Sequence, residues 1–318
     1  MANVLVTGGA GFIGRWVVKK LLGEKHRVWV LDNLSNGSAE NLAEFKGNKN
    51  FAGLVQGNVE DAALVSGLFS KNKFDLVIHL AAQINVQESI GNPRKSFDSN
   101  ILGTFVLLEE MRKRRSLPKM ALIGTCMVYD LASAGGAISE SHPLKPLSPY
   151  AASKIAAEQL VEAYGNSYSL PYTILRPFNT YGPFQKSNME GGVVSIFLQN
   201  ALNKEPLKVF GSGKQTRDLL YVEDCTEFIV RAAFEKRAEG KVINAGSGQD
   251  ISVNELAKII ARGKSKVLHV KHHHPQAEIM KLQCDYSLAR KLLGWKPRHT
   301  LEEGINETRE WLSRQGGN

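Results

Sequence analysis

Short apolar runs alternate with longer stretches of helical periodicity over the first two thirds of the chain. The runs are rich in β-branched residues and leucine without polar alternation, which is typical of strands covered on both faces. They predict strands at residues 4–6, 28–31, 54–56, 76–80, 120–123 and 173–175, with helices between them such as 13–22 and 96–111. This alternation predicts an α/β fold built on a doubly wound parallel sheet.

The pattern changes after about residue 183, where helical stretches alternate with short loops that contain Gly and Pro. Helices are predicted at 193–202, 222–233, 253–261 and 287–292. We therefore predict a larger domain at 1–183 and a smaller, mixed α/β C-terminal lobe at 184–318. Within 220–248, the apolar residues 242–244 could form a strand that returns to the main sheet.

A glycine-rich turn at residues 7–14 follows the first predicted strand and opens the first helix. Gly8 would let the chain turn, Gly11 would let the backbone approach a pyrophosphate, and Gly14 would let the helix and strand pack closely. The free N–H groups and the dipole of the helix N-terminus favour an anion there. The turn therefore indicates a dinucleotide bound to a Rossmann-type domain.

Asp32 ends the second predicted strand, where a carboxylate can accept hydrogen bonds from the adenosine ribose. Its charge would repel a 2′-phosphate, so the sequence favours NAD over NADP. Arg15 argues against this preference for NAD, since it could pair with a phosphate. It could equally lie on the exposed face of the first helix. A glycine-rich turn without a ligand is disfavoured because Asp32 completes the pattern.

Residues 148–154 predict the start of a helix, with Ser148 as its N-cap and Pro149 in its first turn. Tyr150 and Lys154 are then one turn apart on the same face. An ammonium group near a phenol stabilises the phenolate, so we expect Lys154 to lower the pKa of Tyr150 and make it a usable acid or base. Beside a dinucleotide site, this pair predicts proton transfer coupled to hydride transfer by a nicotinamide.

The 318 residues carry a formal net charge of +9, which suits an anionic ligand or nucleic acid. The densest basic cluster, 112–115, is better interpreted as a helix C-terminus, and no nucleic-acid-binding motif accompanies it. No apolar run is long enough to span a membrane, and no signal peptide precedes the first strand, so we expect a cytoplasmic protein. Three distant cysteines disfavour disulfides, and the histidines at 272–274 are interpreted as a surface loop and not as a metal site.

Further motifs resemble those of the extended short-chain dehydrogenase/reductase family, in its nucleotide-sugar epimerase and dehydratase branch that includes UDP-glucose 4-epimerases. The resemblance covers nearly the whole chain. Its motifs are the turn 7–14, Asp32-Asn33-Leu34, 79–82, Asn100, Thr125 with 128–129, Tyr150, Lys154, 176–183, 215–218 with 221–224, and 294–297.

The resemblance implies a bound NAD and a nucleotide-diphosphate sugar as substrate. Cofactor contacts are implied at Gly8, Gly11, Phe12, Ile13, Gly14, Asp32, Asn33, Ser35, Asn36, Asn58, Val59, Leu80, Ala81, Ala82, Gln83, Asn100, Tyr150, Lys154 and Pro177. Substrate contacts are implied at Gln83, Thr125, Cys126, Met127, Asn179, Val193, Arg217 and His274. Thr125 would bond the sugar hydroxyl beside Tyr150. Asn179 and Arg217 would hold the diphosphate, whose geometry matches a guanidinium fork.

Two of these positions depart from the family pattern. Asn58 stands where an Asp commonly faces the adenine amino group, and its amide oxygen is a weaker acceptor. His274 stands where an Arg commonly gives a second phosphate contact, so diphosphate binding could be weaker or depend on pH. Members of the family commonly dimerise through two helices, which correspond here to 96–111 and 150–164, so the resemblance also implies a homodimer.

The residues after Thr125 bear on the reaction. Dehydratases of the family have Asp and Glu there, whereas this chain has Cys126 and Met127. A 4-epimerisation needs only Tyr150, Lys154 and Thr125, and it is the leading hypothesis.

Cys126 keeps a second hypothesis open. A dehydration such as a 5,6-elimination would use it as catalytic acid or base, with a thiol pKa lowered by the nearby Lys154. Alternatively, Cys126 is a packing residue. A nucleotide-sugar-binding protein without turnover is disfavoured because Tyr150, Lys154 and Thr125 are intact, and a 4-ketoreductase would need an exchangeable cofactor.

Overall fold

The computed structural model describes residues 1–130, 136–187, 192–271 and 280–315. The described strands, in chain order, are β1 (Asn3–Thr7), β2 (Arg27–Asp32), β3 (Phe51–Gln56), β4 (Leu76–His79), β5 (Lys119–Ile123), β6 (Tyr172–Pro177), β7 (Asn179–Tyr181), β8 (Leu207–Phe210), β9 (Thr216–Tyr221), β10 (Lys241–Ala245), β11 (Asp250–Ser252) and β12 (Val267–Val270). The described α-helices are α1 (Phe12–Gly23), α2 (Ala62–Lys71), α3 (Val86–Gly91), α4 (Pro93–Ser96), α5 (Gly103–Arg112), α6 (Pro149–Tyr168), α7 (Val193–Leu202), α8 (Val222–Phe234), α9 (Val253–Ala261), α10 (Ser287–Leu293) and α11 (Leu301–Gln315).

Seven parallel strands form the main sheet in the order β3-β2-β1-β4-β5-β6-β10. The chain winds outward in both directions from β1, and the two halves separate between β1 and β4. In such sheets the ligand crevice lies outside the carboxyl ends of the strands at that point. The predicted doubly wound sheet is therefore confirmed, and β10 contains the residues 242–244 that could return to it.

Alternate residues of the buried strands face two different helix layers. In β1, Val4 and Val6 pack with α1 and α8 on one face, while Leu5 packs with α2, α5 and α6 on the other. The same alternation holds in β4, where Val77 faces the second layer. This two-sided burial explains why the strand segments read as continuous apolar runs.

The predicted helix 96–111 is wrong as one continuous α-helix. It consists of the end of α4, a π-helical turn at Phe97–Leu102, and α5. A π turn inserts extra backbone into a helix and frequently occurs at functional sites. Here the turn contains Asn100, whose side chain faces α6.

A third apolar core lies in the C-terminal part of the chain, between α7, α9, α11 and two small sheets. These sheets have the strand orders β11-β9-β7 and β12-β8. Trp16 of α1 packs into this core, and its indole donates to the Pro183 carbonyl at 3.1 Å, so the core is anchored to the main sheet. Nowhere in the described part of the chain is a helix both long and apolar enough to cross a bilayer.

Candidate functional site

A cleft of ≈ 540 Å³ opens at the carboxyl ends of the central strands. Most of the residues predicted to bind a dinucleotide or to transfer a proton line this one space. They are Gly8, Gly11, Phe12, Ile13, Gly14, Asp32, Asn33, Ser35, Asn36, Val59, Leu80, Ala81, Ala82, Thr125, Tyr150, Lys154 and Pro177. The sheet therefore brings together residues that lie as much as 169 positions apart in sequence, from Gly8 to Pro177.

The glycine-rich turn forms one wall of the cleft. Gly8 has a φ of +70°, and a Cβ on Gly14 would lie 2.1 Å from the Gly8 carbonyl oxygen, so neither position accepts another residue without rearrangement. Gly11 is the N-cap of α1 and has no side chain to occupy the first free N–H groups. Those donors and the helix dipole face the cleft, which suits the pyrophosphate of a dinucleotide.

The carboxylate of Asp32 holds the next part of the wall in shape. Its Oδ2 accepts from the Ala10 amide at 2.9 Å, and its Oδ1 accepts from the Leu34 amide at 2.8 Å. Asn58 is not among the residues that line the cleft, and its Oδ1 accepts from the side-chain Nδ2 of Asn33 at 2.8 Å. Asn58 therefore orients the Asn33 side chain, and its contact with adenine stays a prediction.

Arg15 is neither on an exposed helix face nor directed at a phosphate. Its side chain is 2% exposed and paired with Glu44, and its guanidinium lies 3.9 Å from the ring centroid of Phe184. Burial lowers its pKa to about 10. Arg15 therefore gives no argument against NAD, because its guanidinium joins α1 to the C-terminal part of the chain.

The proton-transfer residues are placed by the N-terminus of α6. As predicted, Ser148 is the N-cap, accepting from the Ala151 amide at 3.2 Å, and Pro149 is the first helical residue. Tyr150 and Lys154 follow on one face and both line the cleft. The Thr125 hydroxyl, which follows β5, lies near enough to the Tyr150 phenol to lower its pKa as a hydrogen-bond donor.

Thr125 has a defined orientation. Its Oγ1 accepts from the Met127 amide at 3.2 Å and caps the short 3-10 turn Cys126–Val128. With a lone pair used in this way, the hydroxyl proton is available to donate toward Tyr150 or a sugar oxygen. The backbone of the turn therefore sets the direction of this contact.

Burial has the largest effect on the pKa values of Tyr150 and Lys154. It raises the pKa of Tyr150 to about 12, against the lowering effect of the Thr125 hydrogen bond. It lowers the pKa of Lys154 to about 8, against the raising effect of the Glu158 carboxylate. The expectation that the polypeptide itself lowers the pKa of Tyr150 is therefore wrong, because desolvation of the phenolate outweighs the stabilising contacts.

Lys154 keeps part of its hydrogen-bonding capacity. Its Nζ donates to the Ile123 carbonyl oxygen at 2.5 Å, and an ammonium group has three donors. Lys154 therefore has donors left for hydroxyl groups in the cleft, such as those of a nicotinamide ribose.

Cys126 is buried and does not line the cleft. Its side chain packs with Val128, Phe178 and Cys284, and the neighbouring Met127 packs against the same cluster. Burial raises the pKa of the Cys126 thiol to about 12, although the charge of Arg217 acts in the lowering direction. The expected lowering of this pKa by Lys154 is therefore wrong, and near neutral pH Cys126 is a thiol that can donate but not accept a proton.

Gln83 and Asn100 lie behind the cleft and support it. Asn100 Oδ1 accepts from the Gln83 amide at 2.7 Å, and its Nδ2 donates to Ser153 Oγ at 2.8 Å. Ser153 in turn donates to the Tyr150 carbonyl at 2.7 Å. The Gln83 side chain donates to the Asn85 carbonyl and the Glu88 carboxylate and accepts from the Ser96 hydroxyl. These bonds order the segment that follows Gln83.

A buried histidine joins two walls of the cleft. His79 Nδ1 lies 2.6 Å from Thr7 Oγ1, which accepts from the Ala81 amide, and its Nε2 lies 3.1 Å from Thr104 Oγ1. Since Thr104 donates to the Asn100 carbonyl, these bonds are consistent with a proton on Nε2. Burial lowers the pKa of His79 to about 3, so it is neutral and acts as a structural link.

The predicted substrate contacts outside the cleft have different surroundings. Asn179 Nδ2 donates to the Asp218 carbonyl at 3.3 Å, and Val193 begins α7 and packs on the third core. Arg217 donates to the Thr216 carbonyl at 2.7 Å and is near enough to Cys126 to influence its pKa. His274 lies outside the described residues.

Sequence reasoning missed the side of the cleft formed by the C-terminal part of the chain. Phe184, Trp311 and Gln315 line the cleft, and the rings of Phe184 and Trp311 have centroids 5.0 Å apart. Trp311 belongs to α11, whose amphipathic pattern indicates a helix but gives no sign of a ligand. These residues meet the glycine turn only through tertiary packing, so no local motif identifies them.

Comparison with known proteins agrees with this geometry. Residues 5–308 match the family described as GDP-mannose 4,6 dehydratase. The chain is 37% identical to a UDP-glucose 4-epimerase of Mycolicibacterium smegmatis over 98% of both chains. It is similar to the X-ray structure of Pal from Bacillus thuringiensis, with a TM-score of 0.96, 53% identity and coverage of 98% of this chain and 99% of that one.

A Thermus thermophilus UDP-glucose 4-epimerase, solved in complex with NAD, is also similar, with a TM-score of 0.91 and 32% identity over 99% of this chain and 100% of that one. The match in fold is global, and the cleft contains the glycine turn, Asp32, Tyr150 and Lys154 in one space. The chain therefore belongs to the nucleotide-sugar epimerase and dehydratase branch of the extended short-chain dehydrogenases/reductases and is an NAD-dependent enzyme.

Proposed function

We propose that the chain is a 4-epimerase of a nucleotide-diphosphate sugar. The observation that carries the proposal is that Thr125, Tyr150 and Lys154 line one cleft, while Thr125 is followed by Cys126 and Met127 and not by acids. A 4-epimerisation requires one proton to leave and return at a hydroxyl group. It does not require a second acid and base to remove water.

Bound NAD would supply the acceptor and donor of a hydride at carbon 4. Tyr150 would take the proton of the 4-hydroxyl group, directly or through Thr125, and would return it after the keto sugar has turned over. Lys154 would hold the nicotinamide ribose with its remaining donors and favour the phenolate by its charge. Asp32 would accept from the adenosine ribose, and the N-terminus of α1 would face the pyrophosphate.

The substrate would be held by its diphosphate, so that the sugar can rotate. The position of Arg217 near Cys126, the residue after Thr125, supports such a contact, because a guanidinium can bind two phosphate oxygens. Asn179, Gln83, Met127, Val193 and His274 remain proposed contacts on the basis of family resemblance. The three cysteines are free and buried, which suits the reducing cytoplasm that we propose as the location.

A second candidate reaction is an elimination of water that involves carbon 5, such as a 5,6-elimination. The observation that favours it is the protonated Cys126 thiol directly after Thr125: the thiol would give its proton to the departing hydroxyl group, and the resulting thiolate would take up the carbon 5 proton. Its burial outside the cleft lining favours the packing role and hence epimerisation.

Incubation with UDP-, dTDP-, GDP- and CDP-sugars in heavy water separates these reactions. For 4-epimerisation we expect a product of unchanged mass without carbon-bound deuterium, measured by mass spectrometry and NMR. Loss of water, or deuterium at carbon 5, would contradict epimerisation and support the Cys126 reaction. No conversion of any of these sugars by the NAD-loaded enzyme would contradict both.

Replacement of Tyr150 by Phe tests the proton-transfer role. We expect Tyr150→Phe to lower kcat by about 10²–10⁴-fold, because a positioned acid–base group contributes about that much. Binding of the nucleotide sugar, measured by calorimetry, should change little. A Tyr150→Phe enzyme with nearly full kcat would overturn the scheme, and Tyr168→Phe, at the far end of the same helix, serves as the matched control.

Trp311 and Phe184 would retain the cofactor at the side of the cleft formed by α11. We expect Trp311→Ala to release NAD about tenfold faster, since an aromatic contact contributes about 0.5–1.5 kcal/mol. The NAD content after repeated dilution and gel filtration measures this release. Arg314→Ala is the control on the same helix, with a side chain that is 77% exposed; equal NAD loss in the two variants would exclude the role.

The proposed homodimer has a suitable surface on α5 and α6. Phe97, Phe105 and Tyr168 are large side chains near these helices with exposed fractions of 50%, 41% and 48%. Such a surface favours burial against a second copy. We expect a dimer in size-exclusion chromatography with light scattering, and a monomer at micromolar concentration would contradict this part of the proposal.

A further inference from the structure

A buried ion pair lies directly behind the proton-transfer residues. Arg176 Nε lies 3.2 Å from both carboxylate oxygens of Glu158, and its Nη2 donates to Oε2 at 2.6 Å. The Glu158 and Arg176 side chains are 2% and 5% exposed. Burial of two charges this deep costs desolvation free energy, which is recovered only when the geometry of the pair is good.

The pair is built into the elements that hold the reacting groups. Glu158 is on α6, one turn after Lys154 and two turns after Tyr150. Arg176 is the residue before Pro177, which lines the cleft. A Cβ on Gly124 would lie 2.3 Å from Glu158 Oε1, so the carboxylate packs against the backbone immediately before Thr125.

The contacts continue away from the cleft. Arg176 Nη1 donates to Tyr129 Oη at 2.8 Å, and Tyr129 donates to Asn244 Oδ1 at 2.7 Å. Asn244 belongs to β10, and its backbone amide donates to Glu140 Oε1 at 2.8 Å. A continuous set of bonds therefore joins the catalytic helix, the end of β6 and the edge strand of the sheet.

Few charged groups in the described part of the chain act on the Lys154 ammonium. The nearest charged neighbour on its own helix is Glu158, which raises the pKa of Lys154 against burial. On β4, His79 is neutral, and from β5 the direct contact is the uncharged Ile123 carbonyl.

The remaining ionisable groups around this part of the site do not replace Glu158. On β6, Arg176 is a cation, so it cannot stabilise the Lys154 ammonium, and its guanidinium is bound to Glu158. Tyr150 on the same helix, and Cys126 after β5, have pKa values raised to about 12 by burial and are neutral near pH 7. Among the described residues around Lys154, Glu158 is therefore the anion available to it.

We propose that Glu158, fixed by its two-pronged contact with Arg176, is a positioning residue that keeps Lys154 in its charged form and holds the backbone of Thr125. The proposal rests on the proposed roles of Tyr150 and Lys154. Arg176 prevents the carboxylate from turning toward Lys154 and forming a closed ion pair that would take the ammonium out of the cleft. Tyr129 fixes Arg176 from the other side.

The charge effect is tested without turnover. Glu158→Gln keeps the shape of the side chain but leaves Arg176 unpaired, so a second variant combines Glu158→Leu with Arg176→Met and removes both charges. Glu227→Gln is the matched control, because Glu227 is a half-buried carboxylate paired with Lys20 and Arg231 on the opposite helix layer. Circular dichroism and thermal melting establish that each protein is folded.

An NMR titration of ¹³Cε-lysine-labelled protein, with the Lys154 signal assigned by its loss in Lys154→Arg, reports the Lys154 pKa directly. We expect this pKa to fall by about one unit or more in the folded variants that lack the Glu158 charge, since an opposite charge nearby contributes about that much. An unchanged Lys154 pKa in a folded variant would overturn the proposal. The Glu227→Gln control should titrate like the parent protein.

The consequence for turnover is a shift of the pH profile. Lys154 is needed as an ammonium group, so activity should fall as pH rises through its pKa, and in the double variant this alkaline limb should move to lower pH. The Michaelis constant should change less than kcat. If the parent converts no nucleotide sugar, the proposed function fails while the titration still decides the role of Glu158; if the parent is active and the alkaline limb does not move, the positioning role alone fails.

Discussion

Desolvation of Tyr150 and Lys154 is the constraint on which the rest of the site depends. Burial raises the pKa of the phenol to about 12 and lowers the pKa of the ammonium to about 8, so that each group favours its neutral form. As pH rises, Lys154 would then lose its proton before Tyr150 does. A phenolate beside an ammonium, which the proposed chemistry requires, is therefore stable only if other contacts reverse this order.

The surrounding residues supply part of that reversal. The Thr125 hydroxyl favours the phenolate, the Glu158 carboxylate favours the ammonium, and the Ile123 carbonyl gives Lys154 a fixed acceptor. In the proposed reaction, the positive charge of oxidised nicotinamide would supply the remaining stabilisation of the phenolate. Proton transfer would then be linked to the oxidised cofactor, because the base would become available when the hydride acceptor is bound.

Much of this arrangement could be predicted from the sequence. The β1–α1 turn, Asp32 and the N-terminus of α6 are local patterns, in which spacing within one element determines which side chains share a face. The π turn at Phe97–Leu102 could not be predicted, because its residues have ordinary helical periodicity and the bulge depends on tertiary contacts of Asn100 with Gln83 and Ser153.

Charges were predicted least well. From the sequence, Arg15 is expected at a phosphate or on an exposed helix face, and lowered pKa values are expected for Tyr150 and Cys126. Burial instead has the largest effect on all three pKa values, and only the packed structure reveals it. Trp311 illustrates the same limit for contacts, since it lies 297 positions after Gly14 and yet lines the same cleft. Local sequence identifies the groups, and tertiary packing decides their ionisation and their partners.

The central claim is that the enzyme oxidises carbon 4 of a nucleotide sugar and returns the same hydride, with Tyr150 moving the proton. A nucleotide sugar deuterated at carbon 4 tests it most directly, with the position of the label in the product determined by NMR. We expect the deuterium to be still at carbon 4, now in the inverted configuration. Loss of the deuterium to water, or its appearance at carbon 6, would contradict the account.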